Sequence, residues 1–494
     1  VGSEMCIRDR ALHMKKISLY VIIAWLSLLC SPTLFIACCD DDPEETPGAP
    51  KEGLAVNHWI EETMRKNYLW YSEIPQESKL NFDAEPEAFF RSLLSLKDGK
   101  TRNGTHHYYS YIEKNKDYVP DTRTSIDSDD TYGMEFVTFN MVDKNGKPLG
   151  YYRSWVLYVL PGSPADEAGI KRGDWLTHIN GVKLNQNNFT QLLKGPAIKL
   201  TILLDLADEN QTKDIALSSS RKVEDNPLYC HTTLNADGKK VGYLLYNHFT
   251  TGPNGFDDKT YDNEMKDILG EFAAQNIDEF ILDLRYNGGG YLSSATILAS
   301  LLVNENHKSD IFGIETDNKG KSLNIRFNSE GETAHLKLSR LFILTSSSTA
   351  SASEAVINGL MPYYGKENII LIGETTEGKN VGSLHYADKK YEWAIQPIVM
   401  RITNKEGASN DYSTGLEPDY SLDEFDSKQL LPLGDSNEYM LSYAIGMIKG
   451  TIPTSRAVAP QKENMHIPVY RSTERHGTNG VLLPPDYQKN RVGE

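Results

Sequence analysis

Cysteine is scarce in the part of this chain that can fold, which excludes a scaffold held together by disulfides. The chain has 494 residues and five cysteines, and only Cys230 lies beyond the N-terminal 39 positions. Stability must therefore come from apolar packing, and we interpret Cys230 as a small buried hydrophobe. Histidine and cysteine form no cluster with metal-ligand spacing, so the sequence predicts no metal and no cofactor.

Positive charge is also in deficit. The chain has 51 Lys and Arg against 68 Asp and Glu, a formal net charge of −17, and no basic stripe runs along it. Nucleic acids require clustered basic residues, so they are excluded as partners. The hydrophobic content of 39% is that of a folded protein, and the length predicts two to four domains.

The N-terminal residues indicate export. Residues 1–13 fit neither a signal nor a domain, and we treat them as an upstream artefact of gene calling. Two lysines then precede an apolar stretch at 17–29, which is short for a membrane span and typical of a signal peptide over residues 14–37. An uncleaved N-terminal anchor is the alternative.

A cysteine follows this segment in a setting that predicts lipidation. Ala37 precedes Cys38, as a small residue precedes the cysteine in the lipobox of bacterial lipoproteins, so Cys38 is the expected first mature residue. The acidic, proline-containing residues 38–53 are too polar to fold and indicate a tether. This tether resembles surface-export signals of Bacteroidetes-type lipoproteins. We expect a lipid anchor to the outer membrane of the cell envelope, on either its periplasmic or its outer face.

The rest of the chain divides by pattern into four parts. Apolar residues at helical spacing predict a small helical N-terminal domain over 54–121. Short strand patterns with turn signals predict a β-rich domain over 128–220, and alternating strands and helices predict an α/β domain over 225–450. Residues 451–494 are rich in Pro, Arg and Asn and predict an extended strap or a disordered tail.

The β-rich part carries a peptide-binding signature. Residues 161–184 resemble the signature of PDZ domains, and residues 132–136 resemble their carboxylate-binding loop. The resemblance implies that a peptide C-terminus adds as a strand while backbone N–H groups hold its carboxylate. A β-rich domain that binds no peptide is the alternative. The predicted peptide-binding residues are Tyr132, Gly133, Met134 and Phe136.

Three polar strings follow strands of the α/β part: DLRYNGGG from Asp283, STASASE from Ser348 and GETTEGKN from Gly373. Ligand sites of open α/β sheets gather at such strand ends. Together, and in this order behind a PDZ-like module, the strings resemble the catalytic region of the C-terminal processing (tail-specific) serine peptidases. That resemblance implies a ββα-superhelix, crotonase-like peptidase domain, with Ser351 as nucleophile and Lys379 as general base.

The chemistry of such a pair is sound. A serine hydroxyl becomes a strong nucleophile when a neighbouring base takes its proton, and burial can keep Lys379 neutral for that task. The N–H of Ala352 at a helix start is one predicted oxyanion donor, and by resemblance Gly289 supplies the other. The family often has a glutamine four residues after the lysine. This chain has Ser383 there, which leaves the third catalytic member in doubt.

Simpler interpretations remain open for single motifs. Ser351 and Glu354 also form a capping-box pattern, in which the serine would only satisfy a helix start. Residues 373–379 nearly match a phosphate-binding loop, but Asn380 stands where a magnesium-binding Ser or Thr belongs, so we predict no nucleotide site.

The sequence therefore predicts a Ser/Lys endopeptidase acting on unfolded or C-terminally exposed envelope proteins. A peptide-binding lipoprotein with a weak or inactive dyad is the main alternative. A polysaccharide-binding lipoprotein is a third, because Tyr108, Tyr109 and Tyr111 could stack on sugars, although packing within the N-terminal domain is the simpler role for them. The neighbouring His106 and His107 are assigned no role.

Overall fold

A computed structural model describes residues 52–102, 104–114, 130–328, 335–451, 466–475 and 481–482. Residues 1–13, the signal peptide, Cys38 and nearly all of the tether lie outside the described residues, so their interpretation stays a prediction. Within the described ranges, no helix is long and apolar enough to cross a membrane.

The helices are α1 (Glu52–Asn67), α2 (Pro86–Ser92), α3 (Pro164–Glu167), α4 (Thr260–Ala274), α5 (Leu292–Leu302), α6 (Ala352–Tyr364) and α7 (Tyr439–Ile448). The strands before residue 240 are β1 (Lys100–Arg102), β2 (Thr105–His107), β3 (Tyr111–Lys114), β4 (Met134–Val142), β5 (Pro148–Val159), β6 (Trp175–Ile179), β7 (Val182–Lys183), β8 (Ile198–Leu203), β9 (Thr212–Leu217), β10 (Cys230–Ala236) and β11 (Lys239–Leu245).

The later strands are β12 (Glu279–Asp283), β13 (Gly290–Tyr291), β14 (Ile311–Asp317), β15 (Ser322–Arg326), β16 (Leu341–Thr345), β17 (Ile369–Gly373), β18 (Val381–Ser383), β19 (Tyr386–Asp388), β20 (Trp393–Gln396), β21 (Ile398–Asn404), β22 (Tyr420–Ser421), β23 (His466–Arg471) and β24 (Val481–Leu482). The predicted multidomain α/β class is confirmed.

The N-terminal part is built on the helical periodicity of α1. Ile60, Met64 and Tyr68 recur every four residues, so they share one face, and they lie in one apolar cluster with Phe89 and Phe90 of α2. This part also contains the short strands β1 to β3, which the sequence did not indicate. Strand β3 pairs with β20, whose residues lie far along the chain, so local patterns could not predict that pairing.

The β-rich part forms an antiparallel sheet in the order β23-β4-β5-β6-β8-β9. Its core includes Phe136, Leu176 and Leu200, which are fully buried. Asn180 and Gly181 join β6 to β7 with positive φ values of 50° and 78°, the backbone that a tight hairpin favours. The edge strand β23 comes from the C-terminal segment, which makes that segment part of this sheet.

A second sheet, with the order β10-β11-β12-β16-β17-β22, carries the α/β part. Strands β11, β12, β16, β17 and β22 run parallel, so their carboxyl ends reach the same edge. In the register of this sheet Thr345 of β16 lies beside Gly373 of β17, and Asp283 of β12 lies beside Leu344. The three polar strings leave the sheet at these ends, which brings them together.

A third sheet, with the order β13-β24-β18-β21-β14-β15, lies in the same part of the chain. Strand β13 directly follows the glycine string, and β18 begins two residues after Lys379. Strand β24 lies between β13 and β18 and runs parallel to both. Residues 481–482 therefore cross the molecule beside two of the three polar strings.

A buried ionic network follows β12. Arg285 is fully buried and donates hydrogen bonds to Asp283 at 2.8 Å and to Glu438 at 2.7 Å. Burial alone would raise the pKa of Glu438, but Arg285 lowers it to about 2. Arg172 of the β-rich part also contacts Glu438 and Glu424. The network therefore links the β-rich part to the end of β12.

Replacing Arg285 should destabilise the protein strongly. Arg285→Met would leave buried carboxylates without their closest partner, and breaking such a pair costs about 3–5 kcal/mol. Urea unfolding at pH 7 measures the change in the free energy of unfolding. Arg340→Met is the matched control, because that side chain is 32% exposed and pairs with Glu279; it should cost about 1 kcal/mol or less. Equal losses in both variants would contradict the assigned role of the network.

Candidate active site

Ser351 is held in an unusual backbone conformation at the start of α6. Its φ of 61° and ψ of −111° are rare for a residue with a side chain, and such strain concentrates at functional sites. Ser351 and Glu354 occupy the two positions of a capping box, with Glu354 accepting the Ser351 N–H at 2.8 Å. The Ser351 Oγ faces the Glu354 N–H in this box, but it is buried and makes no hydrogen bond of normal geometry to the residues that the structure describes. Helix capping alone therefore does not explain this hydroxyl.

Lys379 is buried in the segment that follows β17, with 1% of its surface exposed. Its Nζ lies 4.4 Å from the centre of the Tyr109 ring, in a cation–π contact. Burial disfavours the ammonium and lowers the pKa of Lys379 to about 7, although the negative charges of Asp98, Glu377 and Glu354 act in the opposite direction. A substantial fraction of this amine is consequently neutral near pH 7.

The Glu354 carboxylate joins the two segments that carry Ser351 and Lys379. One carboxylate oxygen, Oε2, accepts both the Ser351 N–H and the Lys379 N–H, each at 2.8 Å. The other, Oε1, accepts the Gly378 N–H at 2.6 Å and the Thr376 hydroxyl. Burial raises the pKa of Glu354 to about 7, and these hydrogen bonds oppose that rise. The sequence identified Glu354 only as a motif and capping residue, because its backbone partners leave no mark in the sequence.

Gly289 lies directly against Ser351, where a side chain would not fit. A Cβ added to Gly289 would come within 2.8 Å of the Ser351 Cβ and 3.1 Å of the Ala352 nitrogen, and its φ is 111°. The Gly289 N–H, however, donates to Asn287 Oδ1 at 2.9 Å, and its carbonyl accepts the Phe249 N–H. The position fits the prediction, but use of this N–H for an oxyanion requires the Asn287 side chain to release or share it.

Ser383, the doubtful third member, is engaged elsewhere in this structure. Its hydroxyl accepts a hydrogen bond from Gln396 Nε2 at 2.8 Å, and both side chains are buried. Gln396 Oε1 in turn accepts the Tyr111 hydroxyl at 2.5 Å. Because the Ser383 oxygen only accepts this bond, its proton is still available for donation to Lys379. Such a contact stays a prediction.

The N-terminal part contributes residues that sequence reasoning missed. The Tyr109 backbone N–H donates to Asp98 Oδ1 at 3.0 Å, and the Tyr109 hydroxyl donates to Glu377 Oε1 at 2.8 Å. Burial raises the pKa of the Tyr109 hydroxyl, so it stays a donor. Tyr109 packs against the N-terminal apolar cluster, as the sequence favoured, and its ring also covers the amine of Lys379. No local pattern could show this contact, because it joins positions far apart in the chain.

Glu377 anchors the N-terminal part to the segment of Lys379. Lys100 donates to the Glu377 backbone carbonyl, and Arg102 pairs with its carboxylate. Together with the Tyr109 hydroxyl, these contacts hold β1 and its neighbours over Lys379. The N-terminal part thereby contributes to the burial of the lysine, and burial lowers its pKa.

The side chains of the predicted peptide-binding residues lie in the hydrophobic core of the β-rich part. Tyr132, Met134 and Phe136 are almost completely buried in the β-rich part. Gly133 has a φ of 77° and lies so close to Ser163 that a Cβ would clash. Any contact of these four residues with a peptide therefore comes from their backbone, and it stays a prediction.

Three protein-family models match parts of this chain. Residues 240–422 match peptidase family S41, residues 55–111 match the peptidase S41 N-terminal domain, and residues 155–203 match the PDZ domain. A crystal structure of a Bacteroides fragilis protein described as an S41 protease is 29% identical and has a TM-score of 0.67. The match covers 79% of this chain and 97% of that one.

Two curated relatives are more distant. A carboxyl-terminal-processing protease from a Picosynechococcus species is 27% identical over 232 residues, which cover 46% of this chain and 50% of the relative. A CtpA-like serine protease from Staphylococcus aureus is 24% identical over 306 residues, covering 58% of this chain and 55% of the relative. The chain thus spans about half the length of the curated relatives that it matches.

Removing the Tyr109 ring should raise the pKa of Lys379 toward that of an exposed lysine. In a Ser351→Ala chain, pH-dependent acetylation read by mass spectrometry should give Lys379 a pKa of about 7. Tyr109→Ala admits water and should raise this pKa toward the usual value of about 10.4, whereas Tyr109→Phe keeps the ring and should change it little. Tyr108→Ala is the matched control. An unchanged pKa in Tyr109→Ala would contradict the proposed role of the ring.

Proposed function

This chain belongs to peptidase family S41, with the N-terminal domain of that family and a PDZ domain, and we propose that it is a serine endopeptidase with Ser351 as nucleophile and Lys379 as general base. The observation that carries the proposal is the Glu354 carboxylate between the two segments. It holds a buried, unpartnered hydroxyl and a buried lysine of lowered pKa on adjoining segments. This is the combination that a Ser/Lys pair requires.

The reaction follows from these groups. Neutral Lys379 takes the proton of Ser351 Oγ as that oxygen attacks the carbonyl carbon of the scissile peptide bond. The N–H of Ala352 stabilises the resulting oxyanion, and the N–H of Gly289 is the proposed second donor. When the tetrahedral intermediate collapses, the C–N bond breaks and the lysine ammonium gives its proton to the leaving amine. A water molecule then attacks the carbonyl carbon of the acyl-enzyme as Lys379 takes its proton. The bond to Ser351 Oγ breaks, and Lys379 returns the proton to that oxygen.

We further propose that the substrates are unfolded or C-terminally exposed proteins of the cell envelope. The exposed backbone of an extended chain can pair with β4 on the side that β23 covers in this structure, and backbone N–H groups of the loop before β4 would receive its carboxylate. Lipidation at Cys38 would hold the enzyme at the outer membrane, on its periplasmic or its outer face. The support for this location is the sequence of residues 14–38.

Two hydrogen bonds favour a second candidate, a peptide-binding lipoprotein without turnover. The Gly289 N–H is engaged by Asn287, and the Ser383 hydroxyl is engaged by Gln396. If the bond from Gly289 to Asn287 persists with substrate bound, the oxyanion lacks one donor. The bond from Gln396 ties the Ser383 oxygen to another partner and leaves only the Ser383 proton for a contact with Lys379. This candidate predicts peptide binding at the β-rich domain with no cleavage after prolonged incubation.

Removal of the nucleophile should abolish cleavage but not folding. Ser351→Ala and Lys379→Ala should each lower kcat/KM on an unstructured protein with a free apolar C-terminus by at least about 10³-fold. Ser348→Ala, three residues before the nucleophile in the same loop, is the matched control and should cleave normally. Thermal unfolding checks that each variant is folded. Cleavage by Ser351→Ala would disprove the assignment of the nucleophile.

Cleavage should rise with pH through neutrality. The general base must be unprotonated, and the pKa of Lys379 is about 7, so the active fraction falls as the pH drops below that value. Protonation of Glu354, whose pKa is also about 7, would weaken its hydrogen bonds over the same range and act in the same direction. The profile of kcat/KM between pH 5.5 and 9 should therefore rise and then level off. A flat profile, or one that is highest at acid pH, would contradict Lys379 as the base.

A further inference from the structure

The C-terminal segment of the chain occupies the side of β4, in the sheet of the β-rich part, on which a peptide would pair. Strand β23 pairs antiparallel with β4, from His466 opposite Met141 to Arg471 opposite Val137. The other edge of β4 is paired with β5, so β23 fills the remaining side. Pro468 is tolerated because β23 is an edge strand, where one N–H faces away from the ladder.

Side chains of this segment fill the groove beside β4. The Tyr470 ring lies 5.2 Å from the Phe189 ring and 6.1 Å from the Phe136 ring, measured between ring centres. Ser472 is fully buried, and its Oγ accepts the Phe136 N–H at 2.7 Å and donates to the Glu135 carboxylate. A serine hydroxyl thus takes a backbone donor of the loop region that was predicted to hold a peptide carboxylate.

The same segment reaches the candidate active site. Arg471 pairs with Glu374, the first residue after β17, whose carboxylate also accepts the Ser347 N–H and hydroxyl. Further along, β24 lies between β13 and β18 and pairs Val481 with both Gly290 and Gly382. The backbone at Val481 therefore crosses between the glycine string and the residues that follow Lys379.

We propose that the side of β4 opposite β5 forms a track for an extended polypeptide, and that β23 of this chain, followed by Ser472, is its resident occupant. The segment is then an intramolecular competitor of substrate. The track selects extended chains with an aromatic or large apolar residue at the position of Tyr470. The effect on turnover rests on the proposed peptidase function, whereas the occupancy does not.

The physical basis is competition for backbone hydrogen bonds. Strand addition uses the main chain, so a segment of this chain and a substrate compete for the same donors and acceptors of β4. A tethered segment is present at an effective concentration on the order of millimolar. The apparent affinity for an external peptide falls in proportion to the fraction of molecules with an open track. An occupancy of about 90% therefore weakens external binding about tenfold.

The test measures peptide binding in the full chain carrying Ser351→Ala, so that no probe is cleaved. The probe is a fluorescein-labelled copy of residues 466–471 that ends in a free carboxylate, which can take the place of the Ser472 hydroxyl. Tyr470→Ala with Ser472→Ala should tighten binding at least about tenfold, as read by fluorescence anisotropy. Val469→Ala is the matched control, because this side chain of the same strand is 42% exposed. Equal affinity in all three chains would overturn the proposal.

A second variant tests the proposal while keeping Tyr470 and Ser472, so its result does not depend on a folding defect of the first variant. Asn140 lies opposite Ile467, so Asn140→Cys with Ile467→Cys would allow a disulfide to lock β23 onto β4. The locked chain should lose probe binding and regain it when a reductant opens the disulfide. Full probe binding by the locked chain would overturn the proposal independently of the first test.

Turnover separates this proposal from the proposed function. With Ser351 restored, Tyr470→Ala with Ser472→Ala should raise kcat/KM by the same factor as the probe affinity. Tighter probe binding without any cleavage would support the resident segment and contradict the peptidase. Cleavage with no change in probe affinity would support the peptidase and contradict the resident segment.

Discussion

The buried carboxylate of Glu354 is the constraint on which the candidate site depends. It accepts hydrogen bonds from Ser351, Thr376, Gly378 and Lys379, and so joins the start of α6 to the segment after β17. These segments leave neighbouring parallel strands at one edge of the sheet, which brings them within reach of one side chain. The unusual backbone of Ser351 persists because its surroundings fix it.

The candidate site is buried, and separate parts of the chain form it or adjoin it. The α/β part supplies Ser351 and Lys379, and the N-terminal part covers the lysine with Tyr109. Arg172 of the β-rich part belongs to the ionic network around Arg285, which lies just after β12. The C-terminal segment crosses both the PDZ edge and the gap between β13 and β18. The candidate site is therefore a property of the assembled chain rather than of the α/β part alone.

Local patterns sufficed where the relevant interactions are local. The multidomain α/β class and the strand ends that carry the polar strings followed from periodicity and turn residues. The position of Gly289 against Ser351 followed from the family resemblance. Tyr109 over Lys379, β3 on β20 and β23 on β4 could not be predicted, because each joins positions far apart with no shared pattern. The hydrogen bond from Gly289 to Asn287 could not be predicted either, because no sequence pattern indicates the orientation of the Asn287 side chain.

The central claim is that Lys379 activates Ser351 as a nucleophile, and reaction with a fluorophosphonate tests it most directly. The probe should be applied to the full chain carrying Tyr470→Ala and Ser472→Ala, with and without Lys379→Ala, and the modified residue identified by peptide mass spectrometry. If Lys379 is the general base, an adduct should form on Ser351, faster as the pH rises through about 7, and should be nearly absent when Lys379 is replaced. An adduct that forms equally fast without Lys379, or on another serine, would contradict it.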